Sequence, residues 1–444
     1  MPDLRRLDPG LREGALSIVR RFRRHGHQAL LAGGVVRDLL LGRKVEDVDI
    51  AVSATPEQIE ALFPDTYDVG RQFGVILVRV DGISYEVTTF RMEGDYLDGR
   101  HPSSVSFSDA RHDARRRDFT VNALFYDPFQ HKVIDYVGGQ EDLRLGVLRS
   151  VGRPERRFQE DKLRILRAIR FACRLGFDIE KETWRQVEAQ APHLTQVSWE
   201  RIRDELIKML TGPDASRGLL LMQQSGIMQV ILPEVAAMEG VAQPPQFHPE
   251  GDVFTHTRLL FKMAGQVEDP ALALAMLLHD VGKPPTYTVR ERIRFDRHAE
   301  VGAEMAEEVA RRLRLSNETR RQVVEMVRQH LRFMHVEKMR RSTLKRFLRL
   351  DLFDKHLTLH RWDCLASHGD LGTWEFCRRK LEEFAREPVR PQPLLDGNDL
   401  IEMGYRPGPL FKEILTRVED LQLEGQLSEP SQARQWVTEH YAVS

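Results

Sequence analysis

The chain has 444 residues, with 66 Lys and Arg set against 67 Asp and Glu for a formal net charge of −1, so any nucleic-acid partner must be met by local clusters rather than by the whole surface. That length suits on the order of two to four domains with buried cores, and no apolar run nears the ~18 residues of a membrane span. Cys173, Cys364 and Cys377 are odd in number, far apart and in no metal-ligand spacing, which predicts reduced, buried thiols and a cytoplasmic setting.

The N-terminal MPDLRRLDPG has no apolar core, so no signal peptide is expected. Leu11, Ala15, Ile18, Val19 and Phe22 then recur at helical spacing up to Gly26. An apolar strand over Ala29–Ala32 runs into Gly33-Gly34, and a short helix follows through Val35, Leu39 and Leu40 to Gly42. Residues 48–52 are β-branched and alternating. The period of two places Asp47 and Asp49 on one face of this strand, and Val48 and Ile50 on the other. Adjacent carboxylates repel unless a cation lies between them. Mg2+ commonly takes one or two carboxylates together with substrate phosphates. Gly33 and Gly34 let backbone N–H groups approach a phosphate, and Arg37 offers a bidentate contact to it. An isolated Asp-x-Asp is more often a solvated edge; the combination points to metal-dependent phosphoryl or nucleotidyl transfer.

Thr55-Pro56-Glu57 reads as an N-cap, first helical position and acidic first turn. Residues 75–80 and 83–89 are strand-like and joined by Asp81-Gly82, a hairpin signal. Glu86 lies on the second of these strands; beside the Asp-x-Asp strand it would be a third carboxylate. Residues 91–107 are polar and glycine-bearing, as in a mobile loop. Arg115, Arg116 and Arg117 form a basic run, either solvated or steering phosphate.

G-G-x-V-R-D at 33–38, followed by D-x-D at 47–49, resembles the signature of the DNA polymerase β-like nucleotidyltransferases. The branch is that of class II tRNA nucleotidyltransferases (CCA-adding enzymes) and bacterial poly(A) polymerases. YEVTTFR around Glu86 looks like that family's third-carboxylate strand, and the 91–107 segment like the loop required for the final A. RRDFTVNA resembles its R-R-D-x-x-x-N-A motif through Arg116, Arg117, Asp118, Asn122 and Ala123. This implies ribose and phosphate contacts, with Asp118 reading the 2′-hydroxyl. DYVGGQEDL, from Asp135, looks like the hinge between head and neck.

The run from Arg156 to Phe177 is strongly helical, with an apolar stripe of Leu163, Leu166, Ile169, Ala172 and Cys173. Arg164, Arg167, Arg170 and Arg174 lie along the rest, which commonly means a solvated face. Asp161 and Arg164, at i and i+3, would share a face and set an acceptor beside donors. Cytosine and adenine both present an amino donor next to a ring-nitrogen acceptor, whereas guanine and uracil present the reverse order. The pair would therefore accept C and A and leave buried groups unpaired with G or U. E-D-K-L-R at 160–164 is similar to the family's E-D-x-x-R motif, which acts as a protein template, and Arg167 joins this nucleotide-facing set. Residues 200–210, carrying Arg201 and Glu205, look like the helix that supports it.

His256, His279-Asp280, His298, His330 and Asp363, with Lys283 completing H-D-x-x-K, resemble an HD-type metal phosphohydrolase domain. Each alone would be an ordinary core or surface residue. Together they imply a divalent site drawn from His256, His279, Asp280 and Asp363, holding Ni2+, Co2+ or Mn2+. Gly404, Gly408 and two prolines precede an amphipathic helix through Leu410, Ile414, Leu415 and Val418.

The resemblance implies an α+β head with a small mixed sheet (1–150), followed by an all-α neck (151–212), HD domain (213–388) and tail (389–444). The implied activity is template-independent addition of CCA to the tRNA 3′ end from CTP and ATP, with Mg2+ on Asp47 and Asp49 and assistance from Glu86. Poly(A) polymerase and A-only addition are the alternatives. Gln72 and Gly74 in VGRQFG look more like the tRNA enzymes. No membrane and no obligate protein partner are expected.

Overall fold

The computed structural model describes residues 2–93, 105–246, 248–385 and 392–442. The chain divides into two compact units. One comprises Met1–Ala236 with Gly265–Glu268 and Arg312–Arg314; the other comprises Ala237–Ala264, Asp269–Arg311 and Leu315–Ser444. Among the described residues, no helix is long and apolar enough to cross a membrane. All three cysteines are free and buried.

In the first unit, helix α1 (Pro9–Arg24) is capped by Asp8, whose carboxylate accepts from the Gly10 and Leu11 N–H groups. It buries Leu11, Ala15, Ile18, Val19 and Phe22, the stripe expected from spacing. Strand β1 (Ala29–Ala32) leads into α2 (Gly34–Leu40), and β2 is Asp49–Val52. Thr55 forms a reciprocal capping box with Gln58 at the start of α3 (Pro56–Leu62). Strands β3 (Thr66–Gly70), β4 (Val75–Val80) and β5 (Ile83–Thr89) follow. The β4–β5 turn has φ 50° at Asp81 and 81° at Gly82, the positive pair that a two-residue hairpin requires.

Residues 91–107 are expected to be a mobile loop. The ends pair as an antiparallel ribbon of β6 (Arg91–Glu93) and β7 (Val105–Phe107); residues 94–104 lie outside the described residues. Helix α4 (Ala110–Arg116), strands β8 (Leu124–Asp127) and β9 (Lys132–Asp135) and helix α5 (Gly139–Leu145) complete the head. Its seven-stranded sheet has the order β3-β4-β5-β2-β1-β8-β9. Only β2 and β5 pair in parallel, so the sheet is mixed. Helix α1 covers β1, β2 and β5. A second core holds Leu30, Ala32, Ala51, Phe90, Ala114 and Phe125.

The neck contains α6 (Pro154–Glu160), α7 (Leu163–Leu175), α8 (Lys181–Gln190) and α9 (Trp199–Leu210). The single helix expected over 156–177 is broken. Asp161 has φ −144° and ψ 104°, and its carboxylate accepts from the Leu163 N–H at 3.1 Å. A short carboxylate bonds nearby backbone better at a break than inside a helix. Asp161 and Arg164 are thus not i, i+3 partners on one helix.

In the second unit the helix Pro270–Leu278 is buried along its length. Helices Val253–Ala264, His298–Arg312, Asn317–Gln329 and Phe353–Ala366 belong to the same unit. The tail helix Pro409–Leu423 buries Ile414, Val418 and Leu421 in a core with Leu400, Tyr405, Ala433 and Val437.

Gly139 is one position where a side chain has no room. A Cβ there would lie 2.2 Å from the Thr120 carbonyl oxygen. Gly139→Ala should therefore cost about 1–3 kcal/mol of stability, read as a lowered melting temperature; an unchanged one would show that α5 shifts freely.

Candidate active site and metal centre

Strands β2 and β5 set the centre of the first site. Their parallel register places Asp49 opposite Glu86. Asp47, two residues before Asp49 and just outside the strand, lines the same cavity of about 490 Å³. Among the described residues, none of the three carboxylates makes a hydrogen bond or salt bridge. Asp49 is partly buried, and its pKa is pushed up to about 7 by burial and by the charges of Glu86 and Asp47, against a lesser pull from Arg117 and Arg37. Three hard oxygen donors without a cation match what Mg2+ takes from protein, so the donor set fits.

The opposite wall is rich in guanidinium groups. Arg37, Arg116, Arg117, Arg164, Arg167, Arg170 and Arg174 all line the cavity. Most are held by protein groups. Arg37 is buried; Nε and Nη2 donate to Asp38 at 2.8 and 2.7 Å, and Nη1 donates to Asn122. The bidentate phosphate contact expected of Arg37 is therefore not available in this geometry. Arg116 and Arg117 both bond Asp113, so the basic run is not a solvated one at these two positions; Arg115 is exposed. Asp118 accepts Arg167 Nε and Nη2 at 2.9 and 2.7 Å on one oxygen, and the Phe119 N–H and Asn122 amide on the other. Burial opposes its ionisation, yet Arg167 and Asn122 hold its pKa down to about 2. With both oxygens engaged, Asp118 supports Arg167 rather than presenting a free acceptor to a ribose.

Gly33, at φ 71°, turns the chain from β1 into α2. A Cβ there would stand 2.7 Å from Arg117 Nη1, so glycine is required on both counts. Gly34 lines the cavity beside it. Asp161 and Arg164 reach the same cavity from the α6–α7 break and the first turn of α7. Arg201 on α9 donates to Asp161 at 2.9 Å. Arg164 donates to the carbonyls of Arg157 and Arg116 and to Glu160, each at 3.1 Å.

The second unit gathers its own cluster. His256 Nε2 is 3.0 Å from Asp363, and its Nδ1 is 2.6 Å from Glu250. Burial lowers its pKa, but those two carboxylates override this and raise it to about 9. His279, His298 and His330 direct Nδ1 at the carbonyls of Met276, Phe295 and Val327 at 2.9, 2.8 and 2.6 Å. That fixes Nδ1 as the protonated nitrogen and leaves a lone pair on each Nε2. These three Nε2 atoms are buried without a hydrogen-bond partner among the described residues. Asp280 sits among them, 3.2 Å from His279 Nε2 and 2.7 Å from Lys283 Nζ. A Cβ on Gly282 would fall 2.1 Å from the His298 carbonyl oxygen. Only glycine permits that close approach of the His298 helix. Orphaned imidazole lone pairs around a carboxylate fit a divalent cation.

Residues 29–149 match the family model described as Poly A polymerase head domain, 176–239 the "Probable RNA and SrmB- binding site of polymerase A", and 252–358 the HD domain. A crystal structure of the Bacillus stearothermophilus CCA-adding enzyme in complex with CTP is 30% identical, with a TM-score of 0.71 over 98% of both chains. This chain belongs to the CCA-adding enzyme family. The fold is accordingly a nucleotidyltransferase head with a mixed sheet, followed by a helical region and an HD domain. The CCA-adding enzyme of Geobacillus thermodenitrificans is 47% identical over 215 residues, 48% of this chain and 53% of that protein. The match thus spans about half the length of the curated relatives. The Thermotoga maritima CCA-adding enzyme complexed with tRNA shares the fold at 20% identity, with a TM-score of 0.61.

Within this family frame, sequence reasoning missed several residues. Arg174 lines the cavity with a side chain 49% exposed and one 3.3 Å contact to Asp38, the freest of the helix arginines. Its recurrence with Arg164 and Arg167 along α7 was the available signal. Glu250 and His248, bonded to each other at 2.9 Å beside His256, lie in FHPEGD just before a helix start.

Asp49's folded pKa lies above its unfolded value of 3.8, so its ionisation penalty is absent below that value and complete above about 7. At pH 8 in EDTA, Asp49→Asn should raise the melting temperature by about 2–4 °C, and should remove the stabilisation that Mg2+ gives the wild type. No rise would show that the trio holds no repulsion.

Proposed function

We propose that this chain adds C, C and A to the 3′ end of tRNA from CTP and ATP, without a nucleic-acid template. One observation supports this most: the carboxylates of β2 and β5 and the polar groups of the α6–α7 junction line a single cavity. In this reading residues 1–150 are the catalytic head, 151–212 the neck that reads the base, 213–388 the HD domain and 389–444 the tail.

Asp47 and Asp49, with Glu86 beside them, would hold Mg2+. Bound there, a pair of such ions supplies Lewis acidity to the attacking 3′-hydroxyl and the pyrophosphate leaving group. The chain's own residues do the rest. Gly33 and Gly34 bring backbone close to the triphosphate. Arg174 and Arg167 offer it cationic charge from the wall, while Arg37, Asn122 and Asp118 hold that wall in place. Asp161, oriented by Arg201, and Arg164, oriented by two carbonyls, present acceptor and donors to the base edge. A fixed pair leaves the wrong base with unpaired groups, the stronger source of discrimination.

The test uses tRNAs lacking CCA, ending in CC and complete, incubated with CTP or ATP and resolved by length. Addition of C to the first, of A to the second and of nothing to the third is expected. A long A tail on any substrate indicates a poly(A) polymerase, and A addition without C an A-only enzyme. Asp49→Ala should abolish CTP and ATP incorporation alike. Arg164→Ala should retain transfer but lose about 10-fold or more in discrimination against UTP and GTP; strict C and A selection in that variant removes the template role.

The imidazole and carboxylate cluster supports a second activity, hydrolysis of 2′-phosphate and 2′,3′-cyclic phosphate ends dependent on Ni2+, Co2+ or Mn2+. His279→Ala should lose hydrolysis of a 2′,3′-cyclic nucleotide and keep CCA addition. Equal hydrolysis in both proteins removes this part.

A further inference from the structure

The HD cluster contains more ligand atoms than one ion needs. One group, His256, His279 and Asp363, and a second, Asp280, His298 and His330, each keep their ligand atoms within 4.8 Å of one another. The two meet at consecutive residues, His279 and Asp280. Asp280 directs Oδ2 toward His279 Nε2 (3.2 Å) and within 4.0 Å of His256, while Oδ1 faces His298 (3.5 Å) and His330 (3.8 Å). Its two oxygens thus face different histidine pairs. His298 and His330 are buried, with Nδ1 committed to backbone carbonyls and Nε2 orphaned. An imidazole lone pair buried without a partner costs free energy unless something occupies it. A single ion on the first group would leave these two lone pairs unused.

We propose that the HD domain holds two divalent cations bridged by Asp280: one on His256, His279 and Asp363, the other on His298 and His330. The imidazole-rich donor set selects Mn2+, Co2+ or Ni2+ over Mg2+. Paired ions at about 3.5–4 Å suit the oxygens of a phosphate ester, so the ligand class is a phosphomonoester or cyclic phosphodiester. This inference rests on the hydrolase reading above but is separable from it, because it concerns the number of ions.

The experiment loads chelator-stripped, full-length Asp49→Asn protein, in which the head site is disabled, with Mn2+. Bound metal is measured after dialysis, together with the EPR spectrum. Two equivalents with an exchange-coupled signal are expected. His298→Gln and His330→Gln should each reduce this to one equivalent with an uncoupled six-line signal, with circular dichroism unchanged. One equivalent and an uncoupled signal before any histidine is altered overturns the proposal, with no dependence on how the variants fold. Unchanged stoichiometry in both variants overturns it as well. Cyclic-phosphate hydrolysis with one ion retains the hydrolase and removes the second site. Two coupled ions without hydrolysis do the opposite.

Discussion

A line of alternating carboxylates and guanidinium groups runs beneath the cavity and joins head to neck. Asp38 binds Arg37 and Arg174; Arg37 binds Asn122; Asn122 binds Asp118; Asp118 binds Arg167; and Glu205 faces Arg167 and Arg170. Residues from α2, the 118–122 segment, α7 and α9 are thereby fixed to one another. Buried ion pairs of this kind contribute little net stability, because desolvation offsets their attraction, but removing one partner costs about 3–5 kcal/mol. Their effect is geometric: the wall that faces the nucleotide and the strand that carries the acids cannot move independently. Arg43 adds a tether, donating to the Arg174 and Leu175 carbonyls at the end of α7 from the loop that leads into Asp47.

Against this neutralised scaffold, the three acids on β2 and β5 stand out. Asp118 and Asp113 are ionised easily because arginines face them; Asp49 is not, because its near neighbours are Glu86 and Asp47. Within one cavity, then, some carboxylates serve the protein and others are left for a cation. The HD cluster follows the same logic with softer ligands. Backbone carbonyls fix three imidazoles in one tautomer, and Glu250 sets the orientation of a fourth. The polar atoms left over are those aimed inward.

Local physics made much of this legible. The stripe of α1, the capping box at Thr55, the Asp81-Gly82 hairpin and the three strands needed only period, cap chemistry and turn residues. The adjacency of Glu86 and Asp49 was legible only as a condition, because it depends on β5 lying parallel to β2, a pairing between segments far apart in the chain. The HD ligands were legible as an ordered set of residues but not as two groups sharing Asp280.

The sequence by itself determined which segments are helices and strands, which acids share a strand face and which histidines and aspartates recur in order, because those follow from neighbours a few residues apart. Tertiary structure decided which charges are free. Arg37, Asp118 and Arg164 look like ligand contacts in the sequence, and packing against Asp38, Asn122, Arg167 and buried carbonyls makes them largely framework. It also decided that Asp161 leaves the helix, since the competing partners, the Leu163 N–H and Arg201, include one that lies 40 residues away. A charged side chain's role depends on what desolvates and neutralises it, and that is set by groups the chain brings together only on folding.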